Sequence, residues 1–178
     1  SNLSKITISS GVINIGSGAF ENCSNLAEIV IPKSVNSIGE NAFAGCSSLK
    51  SIEIPENVHS VSSASFKDCT SVEHISIPGR LLPSLSDIFE GCHAVSTLTL
   101  TSDIDFFKLM VELCGDLLST DEVAEALQML KSNCSAFTKL TTLELTDKVT
   151  EIDPETLAIF TSLKAIRISK KNKVYQSE

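Results

Sequence analysis

The sequence predicts an α/β repeat solenoid, and three features carry that prediction. Four blocks align at a fixed spacing of 23 residues across the N-terminal half of the 178-residue chain. Each block opens with alternating apolar residues, the signature of a short strand with one buried face. One later stretch leaves the period and carries helical spacing instead. A block of this size cannot bury its own apolar groups, so only stacking on neighbours closes a core.

The four blocks read LSKITISSGVINIGSGAFENCSN, LAEIVIPKSVNSIGENAFAGCSS, LKSIEIPENVHSVSSASFKDCTS and VEHISIPGRLLPSLSDIFEGCHA. Starts fall near Leu3, Leu26, Leu49 and Val72, and further ones at Val95, Leu140 and Leu163. The fourth block drifts, with Leu81 and Leu85 following the pattern only loosely. Ile29 and Ile31 flank Val30 as a strand, and Pro32, Pro55 and Pro78 end their strands because proline lacks the N–H of the next ladder bond. Gly16 and Gly39 are expected where the chain turns through a conformation other residues resist. Phe20, Phe43, Phe66 and Phe89 are expected to stack as an internal aromatic column.

Six cysteines are present, and Cys23, Cys46, Cys69 and Cys92 follow the same period. An even count admits a disulfide framework. The regular spacing favours the other reading, one slot of the repeat filled by a small buried thiol. Stacked turns would hold those side chains parallel rather than converging. Structural zinc is not expected, since no CxxC or CxxH pair occurs.

Units such as IPKSVNSIGENAFAGCSSL, from Ile31 to Leu49, resemble the BspA-like class of leucine-rich repeats. The resemblance covers about four-fifths of the chain. It implies a curved, right-handed leucine-rich-repeat array with short parallel strands on the concave face. It also implies a parent that is secreted or attached to a cell surface and engages other macromolecules. The chain opens at Ser1 without Met, and the segment from Asn172 to Ser177 resembles a repeat motif cut short. Both lead us to expect a fragment of a larger protein.

Between Val95 and Leu140 the period fails. A helical insertion is expected at about 103–134, as a hairpin within a single domain spanning 1–178. The first helix would run through FFKLMVELCGDLL; Ser119 to Glu122 forms a capping box for a second, VAEALQMLKSNC. In the second, Val123, Leu127, Leu130 and Cys134 share one face, with Glu122, Glu125 and Gln128 opposite. The first has two apolar stripes. They either cap the solenoid and pack on the second helix, or leave Phe106, Phe107, Met110 and Val111 exposed as a docking patch.

Composition narrows function by exclusion. With 14 Lys+Arg against 22 Asp+Glu, the formal charge is -8, which argues against gripping a nucleic-acid backbone. Aromatics make up only 5%, thin for base or sugar stacking, and no apolar run is long enough to span a membrane. No phosphate-loop, dinucleotide, nucleophile-elbow or zinc-protease signature occurs. His59, His74 and His93 sit in different parts of their repeats, so no shared metal or catalytic cluster is expected. The chain therefore reads as non-enzymatic, with no cofactor.

The remaining candidate surface is the outward side of the strands. Glu28, Val30, Ser51, Glu53, His74, Ser76, Thr97 and Thr99 compose it, a polar strip without the Trp, Tyr and Arg that anchor tight interfaces. The alternatives for this strip are a macromolecule-binding face and a merely solvated sheet. The expected partner is a protein or other macromolecule, and the chain is expected to be a monomer. A self-associating scaffold that uses the insertion or an array edge, one that an intracellular setting would also suit, stands as the alternative.

Overall fold

A computed structural model describes residues 2–103, 120–150 and 157–172. The strands are β1 (Asn14–Ile15), β2 (Ser37–Ile38), β3 (Ser51–Glu53), β4 (Ser60–Val61), β5 (His74–Ile77), β6 (Thr97–Leu100), β7 (Thr142–Leu145) and β8 (Ala165–Ile168). Five of them form one parallel sheet in the order β3-β5-β6-β7-β8. The register follows the sequence period directly: Ser51 lies beside His74, and His74 beside Thr97. From β6 to β7 the step widens to 45 residues, yet Thr97 still pairs with Thr142 and Leu100 with Leu145. The insertion is thus looped out without disturbing the ladder.

Alternation places Ile75 and Ile77 in the core, with His74 exposed and Ser76 half-buried. In the second repeat the expected strand shrinks to a single bridge between Lys5 and Glu28. Its alternation survives, with Ile29 and Ile31 buried around an exposed Val30. A second parallel sheet, β1-β2-β4, occupies the V-x-x-I slot of the first three repeats. Two-residue strands leave no period to detect, so the sequence gives no sign of it.

The aromatic column forms as the spacing predicts. Ring centroids of Phe20, Phe43, Phe66 and Phe89 follow one another at 5.1, 5.0 and 5.3 Å, all stacked. Cys23, Cys46, Cys69 and Cys92 are free and buried beside it. Their thiols also satisfy backbone: Cys46, Cys69 and Cys92 donate to the carbonyls of Phe20, Phe43 and Phe66 at 3.2–3.3 Å. Each thiol thus adds a second bond to a carbonyl of the preceding turn that already accepts from a backbone N–H, that of Cys23, Cys46 and Cys69 respectively. Burial pushes the Cys46 thiol up to about 11. A hydrogen bond with Cys92, followed by burial, raises Cys69 as well.

The glycine expectation needs correcting. Neither Gly16 nor Gly39 has a positive φ; the left-handed residues lie further along the turn, in one column at Gly18 (63°), Asn41 (55°) and Ala64 (56°) and in a second at Asn22 (57°), Gly45 (71°), Asp68 (56°) and Gly91 (78°). Side chain and glycine alternate down the second column for steric reasons. A Cβ on Gly45 would lie 2.5 Å from Asn22 Oδ1, and one on Gly91 would strike Asp68 Oδ1. Gly39 is required for close approach instead, since a Cβ there would sit 2.5 Å from the Ser17 nitrogen. Gly16 has open space around it.

The drift of the fourth repeat becomes helix: a 3-10 turn over Gly79–Ser84, then α1 over Leu85–Ile88. Gly79, Leu81, Leu82, Leu85 and Ile88 are its buried residues. The predicted second helix of the insertion is present as α2, Thr120–Ser135. It packs on α1 and the 3-10 turn, with Leu130 and Cys134 buried and Gln128 exposed. Asn133 Nδ2 donates to the Pro83 carbonyl at 2.6 Å and ties the two together. The predicted first helix lies outside the described residues.

Candidate functional site

The strip expected to face outward divides in two. Glu28, Val30, Ser51, Glu53 and His74 are exposed, and none carries a side-chain hydrogen bond or ion pair among the described residues. Val30 is the most exposed large apolar residue described, at 67%. Ser76 and Thr99 are half-buried. Thr97 faces the same way but is buried, a short side chain set in register between His74 and Thr142. Toward the C-terminal side the strip satisfies itself. Thr99 Oγ1 donates to Glu144 Oε2 at 3.2 Å, and Arg167 Nη1 donates to Glu144 Oε1 at 3.1 Å.

Where the strands end, the N-terminal half of the strip opens into a cavity of about 710 Å3. Val30 and Glu53 belong to both strip and cavity. The rest of the lining comes from strand exits, a column that changes chemistry along the array. Pro32, Pro55 and Pro78 fill it in the second to fourth repeats, and Thr101, Thr146 and Ser169 after them. The hydroxyl residues keep an N–H, so Thr101, Thr146 and Ser169 donate to Ile77, Leu100 and Leu145 and lengthen the ladder by one bond. The proline half cannot add that bond. The cavity is therefore apolar on one side, with Pro32 and Pro55, and hydroxyl-bearing on the other, with Thr101 and Thr146.

Its walls are fixed. Arg80 Nη2 donates to the Glu56 carbonyl at 2.7 Å and also to the Val58 carbonyl, and Asn57 Nδ2 donates to Val35 O at 2.7 Å. Across the opening, Lys148 Nζ meets Glu56 Oε1 at 2.8 Å, joining residues 92 apart in sequence. The Glu56 carboxylate holds the Lys148 ammonium above its ordinary pKa. Thr101 Oγ1 is buried without a hydrogen-bond partner.

The family model of the BspA type leucine rich repeat region matches residues 1–111 and 115–178, in six copies. The chain belongs to this family. Among solved structures it is similar to a leucine rich cell surface protein of Faecalibacterium prausnitzii, at 30% identity and a TM-score of 0.51 over 62% of this chain and 28% of that one. It is also similar to the leucine-rich repeat protein of T. pallidum (24%, TM-score 0.49, 72% of this chain and 59% of that one). A leucine-rich repeat protein of Bacteroides ovatus is similar at 17% and 0.46, over 91% of this chain and 54% of that one. The chain thus spans between about a quarter and three-fifths of the chains it resembles. No curated protein matches it.

Membership of the BspA type family carries the solenoid fold and points to a protein-interaction module; family and fold neighbours are typically non-enzymatic. Among the described residues no group of three or more potential ligands could hold a metal ion, and no helix is long and apolar enough to cross a membrane. His59, His74 and His93 are all exposed. Phe106, Phe107, Met110 and Val111, the alternative docking patch, lie outside the described residues. The sequence reading did not find Thr101, Lys33, Glu56 or the segment from Thr146 to Lys148. Their one legible signal was the change from proline to threonine at the strand exits.

Proposed function

We propose that this chain is the non-catalytic recognition region of a cell-surface or secreted, adhesin-like protein, and that it engages its partner through the N-terminal half of the concave face. One observation carries the reading. Glu28, Val30, Ser51, Glu53 and His74 stand exposed with no side-chain partner on a rigid sheet edge, whereas the C-terminal half neutralises itself through Thr99, Glu144 and Arg167. Exposed charge held without a partner on a pre-organised surface is available to a ligand at little ordering cost. The Faecalibacterium prausnitzii neighbour, a leucine rich cell surface protein, supports the location. Without aromatic anchors, affinity should be modest and gain from several copies acting together.

The test is a displayed protein-fragment library selected on the wild-type chain and on a Glu28→Lys, Glu53→Lys double variant. Binders that hold the wild type and lose the variant support the reading. Binders that ignore the variant, or no enrichment at all, contradict it.

A second reading, a self-associating unit, rests on β8. All four of its residues are exposed, including Ile166 and Ile168, and it is the last strand of the sheet among the described residues. An edge strand with exposed apolar residues invites pairing with another chain. Light scattering across a dilution series checks it: dimers that vanish in Ile166→Lys would favour self-association, and a monomer throughout would remove it.

A further inference from the structure

The cavity at the strand exits has features a merely solvated corner would not need. Its volume of about 710 Å3 falls within the usual ligand-pocket range of about 300–1,000 Å3. The lining carries three carboxylates, Glu53, Glu56 and Asp147, against two ammonium groups, Lys33 and Lys148. Glu56 and Lys148 consume one another in the clasp, which leaves two carboxylates facing one ammonium. Apolar surface is supplied by Val30, Pro32 and Pro55. Thr101 lines the same space, and its Oγ1 is buried with no hydrogen-bond partner among the described residues.

We propose that this cavity takes a short extended segment of a partner protein, one basic side chain flanked by apolar ones. This rests on the concave-face reading above and names the chemistry of its partner. The basic group sits between Glu53 and Asp147, and the flanking side chains cover Val30, Pro32 and Pro55. Lys33 takes a carbonyl oxygen of the same segment. The occupant is cationic for a plain reason: with Glu56 and Lys148 paired, the carboxylates of Glu53 and Asp147 outnumber the remaining Lys33 ammonium, and a cation offsets the water displaced from them. It is a peptide rather than a sugar because the apolar wall is aliphatic and proline-built, with no aromatic platform in the lining. Selectivity comes from the Glu56–Lys148 clasp and the Arg80 and Asn57 hydrogen bonds, which fix the walls before binding.

The probe is a capped Val-Leu-Arg-Leu-Val peptide, titrated into the isotope-labelled whole chain and read by amide NMR shifts. Its counterparts carry Glu or Gln in place of Arg, and a neutral oligosaccharide serves as a fourth ligand. The Arg peptide should shift amides of Val30, Glu53, Thr101 and Asp147, and the Glu peptide should not. Glu53→Gln and Asp147→Asn should each weaken the Arg peptide roughly two- to fivefold, with the effect shrinking as salt is raised. Equal binding of Arg and Glu peptides, shifts confined to other parts of the chain, no shifts, or tighter binding of the oligosaccharide at this cavity would each overturn the proposal. The broader reading has its own separate outcome. Library binders that lose the Glu28→Lys, Glu53→Lys variant yet tolerate Asp147→Asn would retain the concave face and remove the cavity.

Discussion

The first four repeats and the last two solve the same packing problem with the same pieces in a different order. In the N-terminal part each turn runs Phe-x-x-Cys-x-x-Leu or Val, as in Phe43, Cys46 and Leu49 or Phe66, Cys69 and Val72. After the insertion it runs Cys134, Phe137, Leu140, and the next turn places Phe160 three residues before Leu163. The backbone bonds are equivalent: Leu49 donates to Cys46 and Leu140 to Phe137, while Cys46 donates to Phe43 and Phe137 to Cys134. Aromatic and thiol have therefore exchanged slots, and the stack of rings described so far stops at Phe89. The ladder does not notice. Strand pairing in this fold is set by spacing and alternation, while the identity of the core filler is free to move as long as the combined volume is kept.

The largest expected effect lies in the middle of the column. Phe66 has rings at 5.0 and 5.3 Å on its two sides and is fully buried. Phe66→Ala should cost about 3–5 kcal/mol in denaturant melts through cavity and lost stacking. Phe20, half-buried with one stacked neighbour, should cost about 1–2 kcal/mol less than that. Equal losses at the two positions would break the picture of a column whose strength depends on having neighbours on both sides.

Thiol ionisation sharpens the comparison, because both halves keep their thiols protonated. Burial pushes Cys134 up to about 12 and Cys46 up to about 11, against an ordinary 9.0. The folded state then holds protons that the unfolded state releases, so stability is intact below pH 9 and declines as pH rises toward 11. Cys46→Ala should fall less steeply across that window than the wild type. These thiols should also resist a thiol reagent in the native chain and react on unfolding. Rapid native labelling of Cys46 or Cys134 would contradict their burial.

A smaller gain is expected at the strand exits. Thr101→Val removes a buried hydroxyl with no partner and should stabilise by about 1 kcal/mol, visible as a higher midpoint in urea. A loss of stability would mean the hydroxyl is satisfied. Smallest of all, Glu28→Lys and Glu53→Lys should each change stability by under about 0.5 kcal/mol, since both side chains are exposed and unpaired. A larger change in either would tie this face to the fold rather than to a partner.

Most of the architecture was legible because a repeat states each instruction several times. Four phenylalanines and four cysteines at one spacing specify a column more firmly than any single propensity could. The capping box before α2 and the drift around Leu81 and Leu85 were also readable, the first as helix and the second only as departure from strand. The β1-β2-β4 sheet escaped because its strands are two residues long. Gly39 was misread because a close approach to Ser17 leaves the same mark in sequence as a left-handed turn. On the concave face the exposed half was visible in alternation, but the burial of Thr97 and the Glu144 network depend on cross-strand neighbours. The cavity was hidden most completely, since Glu56 and Lys148 come together from distant repeats.

The central claim is that recognition belongs to the unpaired N-terminal half of this face and not to its self-satisfied C-terminal half. It is tested most directly by the affinity of the capped Arg peptide for two single-charge variants, Glu53→Gln and Glu144→Gln. The two substitutions remove the same charge from the same sheet face, one unpaired and one bonded to Thr99 and Arg167. The account predicts roughly two- to fivefold weaker binding in Glu53→Gln and wild-type affinity in Glu144→Gln. Loss of affinity in Glu144→Gln with none in Glu53→Gln would contradict it.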